Sequence, residues 1–273
     1  MPDNLPDATA RLRELPGHRV LALSGRDAAA FAQAQFMGDV AALAVGHWHW
    51  NGWLTPRGRV VALFALLRVD AEHLWLLLPD ADPGDLAAQL RRFVFRSKVV
   101  VEPRTELRVA GGFQTPVQAR GDVLAGSADG GFELDMGGDG GARLLRVGPA
   151  PDAHGDAGFV ARWACEDLRH GLPRLAGSQS AEWTPQQLSL ERLRAFSIRK
   201  GCYPGQEIVA RTHFLGKAKR ELVLLEGAAP FDVGVDDVVS AASDRERHLA
   251  LAVRSLEREP DPRERPLLGG LAR

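Results

Sequence analysis

The sequence predicts an α+β protein that ends in a small all-β region. Strand patterns alternate with two amphipathic helix patterns over the first hundred residues, and further helix patterns follow before residue 200. After residue 220 the chain carries only short β patterns with turn residues between them. With 273 residues, 45% of them hydrophobic and 25% charged, it is long enough for two domains of ordinary globular composition.

The first hundred residues predict a regular order of elements. The turn "TPRG" joins two of the strands, and Asp82 followed by Pro83 fits the cap and first position of the second helix. The order strand, helix, two or three strands, helix, strand resembles a ferredoxin-like unit. The segments are "HRVLALSG", the helix "RDAAAFAQAQF", "WHWNGWL", "GRVVALFALLRVD", "EHLWLLLP", the helix "DADPGDLAAQLRRFVF" and "SKVVVEP".

The remainder of the chain predicts fewer elements. The pattern weakens over 107–163, where "GSADGGFELDMGGDGGARLL" predicts a glycine-rich loop pair around one or two short strands. A helix is expected near "ARWACEDLRHG", ending at Gly171. Another helix is expected to start at Thr184 with Pro185 in its first position. "ELVLLEG", "DDVVSAA" and "HLALAVRSLE" predict three strands, and the charged, proline-rich end is expected to be loosely ordered.

Several classes of protein lack support in the sequence. The longest apolar run, Val60 to Leu67, is far below the ~18 residues that span a bilayer, and the N-terminal stretch has no apolar core typical of a secretory signal. Two cysteines give neither a metal-ligand spacing nor a disulfide framework, which suits a reducing cytoplasm. No dinucleotide-binding, Walker or G-x-S-x-G motif occurs.

The stretch "IRKGCYPGQEIVARTHF" places Cys202 in a tight turn among cations. Gly201, Pro204 and Gly205 bracket the cysteine, and 207–211 predicts a strand that leaves the loop. Neighbouring cations would favour the thiolate of an accessible cysteine. The alternative is a small buried hydrophobic residue, which is what most free cysteines are.

Clustered charge and clustered aromatic residues each allow two interpretations, one of them a ligand site. The chain has a net charge of −1, yet residues 199–220 hold six Lys or Arg and one carboxylate, a local charge of +5. Such a patch indicates an anionic ligand or partner, or only a solvated face. In "HWHWNGW" the tryptophans share one strand face and the histidines the other, so the tryptophans form either core or a wall for a heterocycle. No metal site is predicted, because no carboxylate or cysteine completes the histidine pair.

The segment "RKGCYPGQEIVAR" resembles the K-G-C-[YF]-x-G-Q-E signature of the YgfZ-type folate-binding proteins, relatives of the glycine-cleavage T-protein. Other segments resemble the same family, so that the resemblance covers roughly 15–110 and 160–226. They are "LALSGRDAAAFAQAQFMGDV", "LTPRGRVVALF", "RRFVFRSKVVV", "HGLPRL" and "TPQQLSLERLRAF", the last of which leads into the signature.

The resemblance implies a fold and a division into domains. The family fold is a pseudo-symmetric pair of ferredoxin-like halves around a central hole, with a C-terminal β-barrel. Here it implies a folate-binding domain over 1–219, with halves of about 1–104 and 105–219. A small C-terminal β domain follows over 220–273, and it looks shortened, so its barrel is expected to be incomplete.

The resemblance also implies a ligand and a role. Tetrahydrofolate would lie in the hole, with contacts from Trp163 and His18 by motif position and from Tyr203 and Gln206 in the signature loop. Cys202 falls on the signature cysteine and is the candidate functional thiol. The other signature-loop residues are Lys200, Gly201, Gly205, Glu207 and Arg211. The implied role is an accessory protein for iron–sulphur enzymes, including those that act in tRNA modification, with such enzymes or their assembly factors as partners.

Two departures from the family bear on this role. The T-protein has an aspartate after the hairpin glycine, whereas the stretch Arg59 to Leu63 has no carboxylate, which argues against aminomethyl transfer. The glutamate that anchors the pterin in many relatives is Arg169 here, and Glu166 or Asp167 are the possible substitutes. The alternative functions are a folate-dependent one-carbon transferase and direct tRNA binding through 199–220.

Overall fold

The computed structural model describes residues 12–149, 154–175, 177–216 and 218–273, and it contains three β-sheets and four α-helices. The helices are α1 Ala28–Gln35, α2 Pro83–Arg91, α3 Ala157–Arg169 and α4 Gln206–Phe214. The strands are β1 Arg13–Glu14, β2 Arg19–Ser24, β3 His47–Leu54, β4 Val60–Arg68, β5 His73–Leu78, β6 Val100–Pro103, β7 Leu107–Gly112, β8 Ala125–Ser127, β9 Gly131–Asp135, β10 Leu144–Pro149, β11 His154–Gly155, β12 Arg220–Gly227, β13 Val238–Ser243, β14 His248–Ser255 and β15 Glu264–Arg265.

The first hundred residues form a five-stranded antiparallel sheet in the order β3-β4-β5-β2-β6. Alternate residues of β2 face opposite sides, so Leu21 and Leu23 pack under helices α1 and α2 while Val20 and Ala22 face the main core. Both faces are buried, which explains the nearly continuous apolar runs of β4 and β5. Every element predicted here is present, and Asp82 caps α2 by accepting the N–H of Asp85 at 2.9 Å.

A second sheet of six strands, in the order β11-β1-β7-β10-β9-β8, packs on the other side of this core. The sequence predicted a glycine-rich loop pair around one or two short strands in 126–145; β9 lies inside that stretch, and β8 and β10 overlap its two ends. Gly126 and Gly131, both at positive φ, flank the turn between β8 and β9. The mixed α and β content, with mainly antiparallel sheets, is as predicted.

The C-terminal region forms a third, four-stranded antiparallel sheet in the order β13-β14-β12-β15. Helix α3 lies against β13 and β14, and it ends at Arg169, two residues before the end at Gly171 that the sequence predicted. The end of the chain, expected to be loosely ordered, instead packs on the main core. Leu271 is buried and its carbonyl accepts the indole N–H of Trp50 at 2.9 Å, while Arg273 donates to the carbonyls of Asp135 and Gly137.

Two further predictions differ from the structure. The helix expected from Thr184 is a series of turns with one 3₁₀ segment, because Ser189 and Arg194 adopt left-handed conformations on either side of it. Residues 207–211, expected as a strand, belong to helix α4, which follows Gly205 at φ 80°. The apolar stretch 208–210 was too short to distinguish a period of 2 from one of 3.6. Among the described residues, no helix is long and apolar enough to cross a membrane.

Candidate ligand cavity and signature loop

A cavity opens between the five-stranded and six-stranded sheets, where the loop after α3 crosses both. The cavity is narrow, with about 20 Å³ of room for the centre of a water-sized molecule, and the empty space of about 420 Å³ around it includes open solvent. Its walls are mostly apolar, with three groups that can form hydrogen bonds or ion pairs at one side: His18, Asp167 and Arg174. The residues that line it are His18, Trp50, Leu63, Ala65, Leu77, Pro79, Met136, Leu145, Asp167, Leu172, Pro173 and Arg174.

The polar side of the cavity is a network of two carboxylates and two guanidinium groups, in which Asp167 and Arg143 are buried and Asp80 and Arg174 are partly buried. Asp167 accepts from Arg143 at 2.8 Å and from Arg174 at 3.3 Å, and Arg174 also pairs with Asp80. Burial raises the pKa of Asp80, and the Arg174 guanidinium opposes that rise. The arginines hold the Asp167 carboxylate in place at the cavity wall, so its second lone pairs can accept from a ligand.

His18 forms the aromatic part of this polar side. Loss of hydration, together with the positive charges of Arg174, Arg19 and Arg143, holds the pKa of His18 well below its usual value of 6.5. The imidazole is therefore neutral at physiological pH, with one ring nitrogen free to accept a hydrogen bond. Sequence reasoning named His18 and mentioned Asp167 as a substitute. It missed Arg174, Asp80 and Arg143, although Arg174 directly follows the "GLP" motif.

Trp163 lies behind the wall of the cavity rather than in it. It is 1% exposed and packs against Phe113 and Phe159, and the Arg143 guanidinium lies 5.0 Å from its ring centre. A Cβ added at Gly111 would come within 2.7 Å of the ring, so that glycine makes room for it. Trp163 therefore supports Arg143, which in turn holds Asp167.

Arg169 points away from this cavity. It pairs with Glu166 at 2.9 Å on the side of α3 that faces the C-terminal sheet. Glu166 also accepts from Arg247 at 3.3 Å, so it is already neutralised there. Of the two carboxylates that the sequence offered in place of the family glutamate, only Asp167 reaches the cavity.

The hairpin that carries the aspartate in the T-protein presents only apolar side chains to the cavity. Leu63 and Ala65 line it, and Val60 is buried beside them. Arg59 turns outward to the carbonyl of Glu182 at 2.6 Å and to Gln187 at 3.3 Å. The carboxylate chemistry of this cavity therefore comes from Asp167, on the opposite wall.

The signature loop is fastened to the end of helix α1 by Lys200. Its ammonium group donates to the carbonyls of Gln33 at 2.6 Å and Gly38 at 3.1 Å, and also to that of Phe36. Burial lowers the pKa of Lys200 to about 8, an effect that the Asp39 carboxylate opposes. Lys200 is a structural anchor and does not belong to a free basic patch.

Other signature residues shape the same loop. Tyr203 is buried and donates to the Ser197 carbonyl at 3.0 Å, and Gln206 donates to the Lys200 carbonyl at 3.0 Å. At Gly205 a Cβ would lie 2.6 Å from the carbonyl oxygen of Thr55, so only glycine fits. Gly201 has open space around it, and Cys202 is exposed. Within the described residues, Tyr203 and Gln206 do not line the cavity that contains His18.

The six cations of 199–220 do not form one surface. Lys200 faces inward, Arg211 pairs with Glu207 at 3.1 Å, and Arg220 pairs with Asp237. Lys217 lies outside the described residues. Only Arg199 and Lys219 remain as exposed cations of this stretch with no carboxylate partner among the residues described. No group of three or more metal-ligating side chains occurs in the described ranges either.

Comparisons with known proteins point to one fold and one set of relatives. No protein-family model matches the chain. It is 25% identical over 253 residues to the tRNA-modifying protein YgfZ of Colwellia psychrerythraea, covering 84% of this chain and 75% of the relative. An uncharacterized protein of Haemophilus influenzae is 28% identical over 214 residues, covering 78% and 72%. The glycine cleavage system aminomethyltransferase T of Bartonella henselae matches with a TM-score of 0.62 at 15% identity, over 90% of this chain and 78% of that one.

Proposed function

We propose, from the membership of this chain in the YgfZ-type family, that it is a folate-binding accessory protein that supports iron–sulphur enzymes, including those of tRNA modification. The Colwellia relative is named a tRNA-modifying protein, which supports the link to tRNA. The family resemblance supplies the folate and the iron–sulphur partners. The fold shared with an aminomethyltransferase is consistent with the folate part.

The observation that carries the proposal is the buried carboxylate of Asp167 on the wall of an otherwise apolar cavity. A reduced pterin is a flat heterocycle with several N–H donors, and it needs planar or apolar walls and an acceptor that water does not occupy. Trp50 and His18 offer aromatic surface, and Asp167 offers the acceptor. The residues present therefore fit a pterin, with Asp167 taking the place that a glutamate has at position 169 in relatives.

The alternative function is a folate-dependent one-carbon transferase. The absence of a carboxylate between Arg59 and Leu63, together with the apolar side chains that Leu63 and Ala65 present, argues against it. Incubation with glycine-cleavage partner proteins and tetrahydrofolate should release no ammonia above background. Turnover at a rate typical of enzymes would make the transferase the better proposal.

Cys202 is proposed as the functional thiol. Exposure of Cys202 in a loop fixed by Lys200 and Gln206 supports an accessible thiol.

The fold is proposed to divide into domains as the family fold does. The proposed units are two ferredoxin-like halves, 1–104 and 105–219, and a C-terminal domain, 220–273, with a shortened barrel. The four-stranded antiparallel sheet in that last region supports a small β domain.

Titration with tetrahydrofolate tests the ligand directly. Wild type should bind, and His18→Ala, which removes one aromatic face of the cavity, should weaken binding by about 1 kcal/mol. His73→Ala is the matched control, because His73 is exposed and pairs with Asp70 outside the cavity. Failure of the wild type to bind any reduced folate would overturn the proposal. Equal affinity in His18→Ala would remove His18 from the site.

A further inference from the structure

A strip of cations and exposed aromatic rings lies on the loop between α2 and β6, away from the cavity. Between residues 86 and 101 the sequence has four Lys or Arg and no carboxylate. Arg91 is used within the fold, because it donates to the Val101 carbonyl at 2.8 Å. The residues that remain exposed, which we call the 92–98 strip, are Arg92, Phe93, Phe95, Arg96 and Lys98.

The aromatic residues of the 92–98 strip are unusual for a surface loop. Phe95 is 86% exposed, although burying its ring would be worth about 2 kcal/mol. Phe93 is 39% exposed, and its ring meets the indole of Trp53 edge-on, with ring centres 6.0 Å apart. One ring is thus anchored to the core, and the other is presented to solvent between Arg92 and Arg96.

The loop is held in shape at both ends, so the rings and cations are presented without a large ordering cost. The N–H groups of Phe93 and Val94 bond back to the last turn of α2. At the other end the N–H of Lys98 donates to Asp27 at 2.7 Å. Among the described residues, Asp27 is the carboxylate that these hydrogen bonds place next to the strip. Its side chain lies 3.9 Å from that of Arg26. Arg92, Arg96 and Lys98 have no ion pair there.

We propose that the 92–98 strip binds a single-stranded segment of nucleic acid, and that in the setting of the proposed function this segment is RNA. Phosphates carry one negative charge per nucleotide, which complements three cations without partners. An exposed ring between cations can stack on a base only where the face of that base is free, as in a loop or an unpaired end. An acidic protein would satisfy the cations but would leave Phe95 without a partner.

The strip is connected to the signature loop through the core. Trp53, which holds Phe93, pairs with Phe36 in a β-bridge, and the carbonyl of Phe36 accepts from Lys200. Both loops are therefore fixed to the same end of strand β3. The nucleic-acid surface thus differs from the 199–220 stretch that the charge pattern of the sequence suggested, where ion pairs and burial take up most of the cations.

Fluorescence anisotropy with a labelled single-stranded RNA of about 12 nucleotides tests the proposal on the full chain. Affinity should fall with salt, with a log–log slope of about −2 for three phosphate contacts. Phe95→Ala should weaken binding about tenfold, and Arg96→Glu should weaken it and flatten the slope. The controls are Val117→Ala, another exposed hydrophobic residue, and Arg245→Glu, another exposed arginine, and both should bind like wild type.

Three results would overturn the proposal. One is no binding of the RNA by wild type at about 50 mM salt. Another is Phe95→Ala or Arg96→Glu binding as tightly as the control variants. The third is equal affinity for a duplex of the same length or for an oligoglutamate peptide of the same charge, which would mean a site for polyanions in general. Binding of DNA but not RNA of the same sequence would contradict the choice of RNA. These measurements need no folate, so they are independent of the folate proposal.

Discussion

The ammonium group of Lys200 donates a hydrogen bond to the carbonyl oxygen of Gly38, 3.1 Å away across 162 positions of sequence. The same ammonium group also donates to the carbonyls of Gln33 and Phe36. One side chain therefore forms hydrogen bonds with three carbonyls at the end of α1. In the signature motif the lysine stands two residues before the cysteine. Its role in this fold is to hold the backbone from which Cys202 is presented.

Replacement of Lys200 by methionine should therefore destabilise the protein. The variant keeps the aliphatic stem but leaves three carbonyls without this donor, two of them buried and one partly buried, at a cost of about 1 kcal/mol each. We expect the free energy of unfolding to fall by about 3 kcal/mol, measured by urea denaturation. Lys219→Met is the control, since Lys219 is exposed, and it should change stability by less than about 0.5 kcal/mol. Equal stability of the two variants would contradict the anchoring role.

His49 should make the protein less stable as the pH falls below 6.5. Its Nε2 lies 3.1 Å from Nδ2 of Asn51, whose Oδ1 already accepts the N–H of Gly38, so the amide must donate and the imidazole must accept. Burial lowers the pKa of His49 to about 4, a value that Asp39 raises and Lys200 lowers in part. The unfolded chain therefore binds a proton between pH 6.5 and 4 that the folded chain does not, and stability is lost over that window.

The measurement is the free energy of unfolding at pH 7 and pH 5. His49→Gln keeps an acceptor for Asn51 but cannot be protonated, so its loss between the two values should be smaller by about 2 kcal/mol than that of wild type. His47→Gln is the control, because the His47 ring contacts the Val45 carbonyl and not Asn51. This variant should lose as much stability between the two pH values as wild type. An identical pH dependence in His49→Gln and wild type would refute the assignment.

Much of the fold could be predicted from the sequence, because the patterns that indicate its elements involve only neighbouring residues. The apolar alternation of β2, the cap at Asp82 and the end of α3 before Gly171 each depend on neighbouring residues, and all three are present. The turns after Thr184 and the helix after Gly205 were not predicted, because left-handed residues at 189, 194 and 205 decide them and the surrounding packing selects those conformations.

The candidate site could be predicted only in part, because packing between distant residues decides which side chains reach the cavity. Motif position indicated His18, and the structure places it on the cavity wall. Motif position also indicated Trp163, but the direction in which a helical side chain points depends on what packs on each face of α3. Trp163 and Asp167 are four residues apart and lie on the same side, with the longer side chain buried behind the shorter one. The role of Asp80 needed a contact across 94 positions with Arg174, which no local pattern contains.

Asp167 and Asp80 provide a matched test of the cavity. Both carboxylates pair with Arg174, but only Asp167 lines the cavity. Asp167→Asn and Asp80→Asn should each lower stability, because each leaves the partly buried Arg174 guanidinium with one partner fewer. Only Asp167→Asn should also weaken tetrahydrofolate binding, by about tenfold for the loss of a charged acceptor. Calorimetric titration at a temperature where both variants are folded separates the two effects. Equal affinity of the two variants would remove Asp167 from the site.

The two cysteines should differ widely in reactivity. Cys202 is exposed in the signature loop, whereas Cys165 is buried in α3. Burial, reinforced by the nearby Asp244 carboxylate, raises the pKa of Cys165 to about 12, so its thiolate is a minute fraction at neutral pH. Since the thiolate is the nucleophile, iodoacetamide at pH 7.5 should label Cys202 at least about a hundredfold faster than Cys165, as followed by mass spectrometry.

Cys202→Ser decides whether that thiol has a function. An exposed loop position should tolerate the change, so the melting temperature and the affinity for tetrahydrofolate should stay as in wild type. In cells that lack the native protein, the variant should fail to restore the activity of iron–sulphur enzymes, while Cys165→Ala should restore it as long as it folds. A purely structural role for Cys202 predicts the reverse: slow labelling, a lower melting temperature and full complementation by the variant that remains folded.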